Sequence, residues 1–130
     1  MTAEALLCRY FLNGYVAPGT LMEATRRVGT ERPTPQHVNL YYWYYGTLAM
    51  YHAGGSDWDS WNQEMKSTLL TLQNKTGKDA GSWPANGVWG GYGGLAYSTA
   101  MATLNLEVYY RYLPTIEQVA GSNQGRATRR

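Results

Sequence analysis

The sequence predicts an all-α protein with an inner and an outer layer of helices. Two segments, Val38–Met50 and Tyr97–Leu113, are rich in aromatic residues and apolar on more than one side. Such a helix must be covered on several sides. Between them, Ser56–Asn74 carries its apolar residues on a single stripe, which is typical of an outer helix with one buried face.

The first three helices have recognisable ends. Thr2–Asn13 carries an apolar stripe on one face, and Pro18–Val28 begins with a proline and is followed by a glycine. Thr30–Gln36 contains two prolines and is predicted to be a linker. Val38–Ala53, the first aromatic helix, ends at a pair of glycines.

The outer helix Ser56–Asn74 begins with a short acidic string. Ser56 and Asp59 have the spacing of a capping box, in which two side chains satisfy free amides at a helix start. Asp57 would then lie in the first turn, where the helix dipole favours a negative charge. We therefore interpret this string as structural.

A glycine-rich loop is predicted for Thr76–Gly94, and the last helix for Ser98–Leu113, with Pro114 ending it. Three segments repeat a small residue, a leucine and an aromatic residue: Ala5–Tyr15, Gly46–Tyr51 and Ala100–Tyr110. Their spacing of roughly 40 to 55 residues is expected when each repeat is a helical hairpin.

Composition excludes several classes of protein. The 130 residues fit one domain, and the apolar content depends on 12 tyrosines and five tryptophans, which suit partly buried walls and pockets. The net charge of +2 comes from three arginines after residue 120, and the rest of the chain has eight basic and nine acidic residues. This balance does not favour nucleic-acid binding.

Cys8 is the single cysteine, so an internal disulfide is excluded and a reducing, cytoplasmic compartment is favoured. No stretch is long and apolar enough for a membrane span. Cys8, His37 and His52 lack the spacing of a metal site, and Cys8 is expected to pack within its helix. No metal and no cofactor are predicted.

Several motifs resemble the prenyltransferase and squalene-oxidase repeat proteins, and the match is closest to the uncharacterised bacterial branch of that superfamily. The match covers most of residues 2–114. The motifs that carry it are Leu40–Thr47, Gly54-Gly55 with Trp58 and Trp61-Asn62, Gly81-Ser82-Trp83, Trp89-Gly90, and Tyr97–Pro114. The resemblance implies a partial α/α toroid, with aromatic inner helices and amphipathic outer helices. Residues 1–114 would form this repeat domain, and residues 115–130 a polar basic tail, predicted to be disordered.

The family's repeat signature pairs a glutamine at a helix end with a downstream Gly-x-Trp. Gln73, Gly81 and Trp83 are similar to that pair at a longer spacing, and the resemblance gives them a structural role. The catalytic signatures of the superfamily are missing from the chain: the Asp-x-Asp-Asp acid, the zinc ligands and the thioester motif. The sequence therefore favours a domain that is not an enzyme on its own.

Two polar residues have alternative roles. Glu107, within an apolar helix, is either an acid with a raised pKa or, as we favour, the partner of Arg111 in a helical ion pair. His52, near the end of its helix, either titrates usefully or helps to cap that helix.

An aromatic wall is predicted for Tyr41, Tyr44, Trp89, Tyr92 and Tyr97. These side chains either line a ligand pocket or hold the glycine loop against the helices. The sequence favours the two roles equally.

Three functions follow. The first is a non-catalytic or partial domain with a scaffold or assembly role, because a complete toroid has about six helical hairpins and this chain supplies about two and a half. Such a domain would self-associate or dock to the missing repeats. The second is binding or conversion of an isoprenoid or similar apolar ligand in an aromatic cavity. The third is carbohydrate binding, since Trp and Tyr stack on sugar rings.

Overall fold

The computed structural model describes residues 2–13 and 16–127, with side chains described up to Arg111 except at residue 13. Within these residues there are five helices and no strand, which confirms the all-α class. The helices are α1 Thr2–Asn13, α2 Pro18–Val28, α3 Leu40–Ala53, α4 Gly55–Leu72 and α5 Gly90–Ala127.

Helix α3 is the centre of the molecule. It contacts each of the other four helices. Helix α2 packs on α1 and α3, and α4 packs on α3 and α5. Every residue from Gly46 to Tyr51 is buried, so α3 is covered on all sides along its second half. In the described chain, α1 and α5 thus each contact α3, and we call this contact order α1, α3, α5 the row; α2 and α4 pack against it.

Helix α4 is covered on one side only. Trp61, Met65 and Leu69 are buried on the face toward the row, and Leu70 and Thr71 are exposed on the other. This burial follows the predicted apolar stripe, because residues three and four apart share one face of a helix.

The predicted bounds of α1 and α2 are confirmed, and α3 begins two residues later than expected. The Asn39 side chain accepts a hydrogen bond from the Tyr42 amide at 3.1 Å and so caps α3. At the end of α2, the Tyr42 hydroxyl donates to the Val28 carbonyl at 2.9 Å. Burial and the carboxylates of Glu31 and Glu4 raise the pKa of Tyr42 to about 12, so this hydroxyl stays protonated.

The predicted capping box at Ser56 and Asp59 is wrong. Helix α4 begins at Gly55 with Gly54 as its N-cap, and no side chain caps it. Gly54 and Gly55 have φ values of 72° and 63°, a left-handed conformation that favours glycine, so the chain turns from α3 into α4 without a linker. This turn moves the helix start ahead of Ser56. Asp57 lies in the first turn as predicted.

The last helix is longer than predicted at both ends. Helix α5 begins at Gly90, is interrupted at Gly94, where φ is 66° and ψ is −164°, and continues through Pro114 to Ala127. The expected end at Pro114 is wrong: the helical backbone continues past it, although a proline removes one hydrogen bond from the helix. The domain boundary at residue 114 stays a prediction, and residues 128–130 lie outside the described part.

Buried hydrogen bonds connect α3, α4 and α5. The Trp61 Nε1 donates to Thr47 Oγ1 at 2.9 Å, and Thr47 Oγ1 donates to Asn105 Oδ1 at 3.2 Å. The Asn105 Nδ2 donates to the carbonyls of Leu40 at 3.2 Å and Met101 at 2.9 Å. A buried polar group must be bonded to avoid a large desolvation cost, so these bonds fix the positions of the three helices.

Helices α3 and α4 approach closely at Gly46. A Cβ atom at this position would lie 2.7 Å from the Trp61 ring. Only glycine therefore allows the indole to lie against the α3 backbone, where its N–H reaches Thr47.

Candidate functional site

The segment between α4 and α5 is held in place by Trp83. Its indole N–H donates to the Leu69 carbonyl at 2.7 Å, near the end of α4, and its backbone amide donates to Thr99 Oγ1 at 3.2 Å. The Leu69 carbonyl also accepts the Gln73 backbone amide at 3.1 Å, so the indole is its second donor at the end of the helix. Trp83 therefore connects the end of α4 to the side of α5.

The two residues that the family signature pairs with Trp83 also lie beside it. The Gln73 side-chain amide donates to the Gly81 carbonyl at 2.9 Å. The backbone amide of the next residue, Asn74, donates to the Ser82 carbonyl at 2.9 Å. The Asn74 backbone carbonyl accepts from the Gly81 amide at 2.8 Å. These bonds close the loop on itself, so Gln73, Gly81 and Trp83 lie in one structural unit.

Further along, the loop approaches the start of α3. The Val88 amide donates to the Val38 carbonyl at 3.3 Å. At Gly87, φ is 88° and a Cβ atom would lie 2.3 Å from the Val38 carbonyl oxygen, so only glycine fits this approach. The contact brings the residue after Val88, which is Trp89, to the N-terminal end of α3.

Four of the five predicted wall residues meet there. Tyr41 from α3, Trp89 from the loop, and Tyr92, Gly93 and Tyr97 from α5 line an open groove of 540 Å³. We call it the aromatic groove. Trp89 and Tyr92 are in ring contact with centroids 6.2 Å apart. A Cβ atom at Gly93 would lie 2.4 Å from Tyr97 Cβ, so this glycine lets the Tyr97 side chain lie close to the α5 backbone.

The fifth residue, Tyr44, lies elsewhere. It makes an edge-to-face contact with Tyr45 at 5.4 Å and packs beside a second buried cluster, formed by Leu7, Leu48, Tyr51 and Val108. Tyr44 follows Tyr41 by three residues, a spacing that places two helical residues only about 60° apart around the axis. On α3, Tyr41 therefore faces the groove, while Tyr44 faces the second buried cluster.

The aromatic groove carries no formal charge. Among the described residues that line it, the only titratable groups are tyrosine hydroxyls. Burial, together with the neighbouring Tyr41, raises the pKa of Tyr97, and the hydrogen bond that the Tyr45 hydroxyl donates to Tyr41 raises the pKa of Tyr45. These hydroxyls therefore stay protonated at neutral pH. The groove offers aromatic faces and hydroxyl groups, and no carboxylate for acid or base catalysis.

The groove is widely exposed to solvent. Trp89 is 51% exposed and Tyr92 is 89% exposed, and Val88 and Leu95 beside them are exposed as well. The groove is therefore the candidate binding site, because exposed apolar patches are found at interaction sites of folded proteins.

The polar candidates lie away from the groove. Glu107 and Arg111 are exposed, and the expected ion pair between these two described residues does not form. Glu107 therefore also lacks the buried environment that would activate an acid. Cys8 is exposed on α1, so the expectation that it packs in the helix interface is wrong: α1 turns the opposite face, with Leu6, toward the core.

His52 contacts three aromatic rings. It stacks on Tyr10 with centroids 5.2 Å apart and makes edge contacts with Phe11 at 5.8 Å and Tyr51 at 5.9 Å. Burial lowers the pKa of His52 below its ordinary value of 6.5. His52 therefore joins α1 to α3 as a neutral ring at neutral pH.

Within the described residues, no cluster of three or more His, Cys, Asp or Glu side chains is arranged to hold a metal ion. No described helix combines the length and hydropathy needed to cross a membrane.

Gly87 and Gly93, the two glycines that allow the groove to form, were not predicted from the sequence. The signal for Gly93 is its position four residues before Tyr97 at the start of a helix, since residues four apart are neighbours on a helix surface. Nothing in the sequence signals Gly87, because its contact is with Val38, far away along the chain.

Comparison with known proteins finds no match: no protein-family model, no curated protein and no solved structure is significantly similar to this chain.

Proposed function

We propose that this chain is a non-catalytic helical repeat domain with an assembly role, and that it associates through the aromatic groove. The observation that carries the proposal is the exposure of Trp89 and Tyr92 beside Tyr41 and Tyr97. Aromatic residues are enriched at the centres of protein interfaces, where their burial contributes much of the binding energy.

The order of helix contacts supports a partial α/α toroid. In this proposal α1, α3 and α5 are inner helices, and α2 and α4 are outer helices that each pack between two inner ones. Helix α5 is the last inner helix of the row. A further repeat or a second copy would lie against it, and the groove at its N-terminal end is part of the surface left uncovered.

The openness of the groove favours a protein partner over a small molecule. Ligand pockets enclose about 70–90% of a small ligand. A small molecule in this groove would leave much of its surface in water, because Tyr92 itself is almost fully exposed. A second copy of the chain or the missing repeats of a toroid would cover the whole surface.

A second exposed patch lies at the other end of the row. On α1, Phe11 is 64% exposed and Leu12 is 82% exposed. Apolar surfaces at both ends of a helical row are expected when repeats continue or when copies associate, because each repeat buries its apolar face against a neighbour.

Sedimentation velocity at increasing protein concentrations tests the assembly role. We expect the wild-type chain to sediment as a dimer or larger species as concentration rises, and the double variant Trp89→Ser/Tyr92→Ser to remain monomeric. Leu70→Ser is the matched control, because it removes an exposed apolar side chain from the outer face of α4. A wild-type monomer at all concentrations contradicts the proposal, as does equal weakening by Leu70→Ser.

An apolar ligand is the second candidate, and the volume and lining of the aromatic groove favour it. The groove has a volume of 540 Å³, which lies within the range of about 300–1,000 Å³ typical of ligand pockets, and its lining is almost wholly apolar. This lining suits an isoprenoid better than a sugar, because sugar sites also need polar groups that bond to the hydroxyls.

Titration with the isoprenoid alcohol farnesol, followed by tryptophan fluorescence, tests this candidate. A saturable change that is lost in Trp89→Phe and kept in Leu70→Ser supports it. A change that never saturates, or that persists unaltered in Trp89→Phe, rules out ligand binding at this groove.

A further inference from the structure

A second groove lies between α1 and α2, and its lining is rich in arginine. Its volume is 590 Å³. It is lined by Arg9 from α1, by Arg26 and Arg27 from α2, and by the apolar residues Ala5, Leu6 and Ala24. We call it the arginine groove. It holds three of the eight basic residues that precede residue 121.

The three guanidinium groups form no hydrogen bond or ion pair with the described side chains. The hydrogen bonds and ion pairs of the described side chains include Arg32, which binds Glu64 at 2.6 Å, but not Arg9, Arg26 or Arg27. Glu23 is the one carboxylate that lines the groove, and it forms no ion pair with these arginines. The groove therefore presents a net positive charge with its donors free.

The arginines lie at two ends of the groove. Helices α1 and α2 are in contact, and the Tyr42 hydroxyl at the end of α2 lies near both Glu4 from the start of α1 and Arg27. The start of α1 therefore lies beside the end of α2, and the two helices run antiparallel. The lining extends from Thr2 to Arg9 on α1 and from Thr20 to Arg27 on α2. Arg9 therefore lies opposite Thr20, and Arg27 opposite Thr2. Seven residues of helix span about 10 Å, which separates the two cationic ends.

We propose that the arginine groove binds an elongated dianion, a small molecule with a carboxylate or phosphate group at each end and an apolar middle. Arg9 binds one anionic group, and Arg26 and Arg27 bind the other. The planar guanidinium offers paired N–H donors that match both carboxylate and phosphate oxygens. The apolar middle lies on Ala5, Leu6 and Ala24. This proposal does not depend on the assembly role, because it uses a different face of the protein.

Isothermal titration calorimetry with three carboxylates tests the spacing. Sebacate is a long dicarboxylate, decanoate has the same chain length with one carboxylate, and succinate has two carboxylates close together. We expect sebacate to bind at least about tenfold more tightly than either of the others, because a second charged hydrogen-bonded contact contributes roughly that much.

Two single variants locate the site. Arg9→Gln should reduce the affinity for sebacate to that for decanoate, since one end of the groove is then neutral. Lys78→Gln is the matched control, because it removes one exposed positive charge from the loop after α4 and should leave the affinity unchanged.

Three outcomes overturn the proposal: no saturable heat with sebacate, equal affinities for the three carboxylates, or the same loss of affinity in Lys78→Gln as in Arg9→Gln. The last two would mean that the whole protein attracts anions and that the arginine groove is not a site. Circular dichroism of each variant verifies that its helical content is retained.

Discussion

Trp61 and Trp89 carry the same side chain in opposite surroundings. Trp61 is fully buried between α3 and α4, and its indole N–H donates to Thr47. Trp89 is half exposed beside Tyr92 and lines the aromatic groove. The difference shows that the aromatic residues of this chain divide into two groups, one that holds the helices together and one that faces outward.

The two regions differ in their polar contacts as well as in burial. Around Trp61, Thr47 and Asn105 complete a buried set of hydrogen bonds across three helices. The aromatic groove contains glycines and exposed rings instead. We infer that the central region determines stability, and the proposed assembly role assigns binding to the groove. The first prediction below tests that separation directly.

The largest expected effect is that of Trp61→Ala. Truncating a buried tryptophan removes its packing and leaves a cavity, which costs about 3–5 kcal/mol of the free energy of unfolding. Trp89→Ala should cost less than about 1 kcal/mol, because its ring is already half in water. Urea unfolding of the two variants measures the difference, and similar losses would contradict the division into two regions.

Asn105→Leu should come next. It removes the amide that bonds Thr47, Leu40 and Met101 and leaves buried polar groups without these bonds, at a cost of about 1–3 kcal/mol. Urea unfolding measures it against Asn86→Ala in the exposed loop. An unchanged midpoint for Asn105→Leu would mean that the buried bonds contribute nothing to stability.

A smaller loss is expected for Trp83→Phe. The substitution keeps an aromatic ring but removes the N–H that bonds the Leu69 carbonyl, which contributes about 1 kcal/mol. The thermal unfolding midpoint should fall by a few degrees, roughly what that energy produces in a domain of this size. If Trp83→Phe matches the wild type, the indole bond does not stabilise the end of α4.

The pH dependence from His52 is the smallest effect. Because burial lowers its pKa in the folded protein below 6.5, the unfolded chain binds the proton more readily. Its contribution to stability is complete above the unfolded pKa and is lost as the pH falls through that value toward the folded pKa. Urea unfolding between about pH 7.5 and 5.5 should show this fall in the wild type and in His37→Gln, but not in His52→Gln. A fall of equal size in His52→Gln would assign it to another group.

Local patterns predicted the helices that depend on local signals. The ends of α1 and α2 follow from a proline and glycines close by, and the buried stripe of α4 follows from its spacing. Two helix starts were predicted wrongly for different reasons. The positive φ values of Gly54 and Gly55 begin α4 early, and this backbone geometry is set by the fold. Helix α3 begins late because the Asn39 side chain accepts from the Tyr42 amide, a capping signal that the sequence did contain.

Contacts distant in sequence could not be predicted. In the sequence, Asn105 is one polar residue in an apolar helix. Its role depends on a carbonyl of α3 that lies close to it only in the folded chain. The wall prediction included Tyr41, Trp89, Tyr92 and Tyr97, which meet in one groove, and Tyr44, which does not. Residue type selected these five side chains, but the orientation of Tyr41 and Tyr44 on α3 depends on how that helix packs.

Amide hydrogen exchange at low and high protein concentration tests the central claim most directly. The account predicts that the amides of residues 88–97 gain protection as concentration rises, while those of residues 46–51 in the buried part of α3 are unchanged because they are already protected. Exchange at residues 88–97 that does not depend on concentration would contradict an assembly role for the aromatic groove.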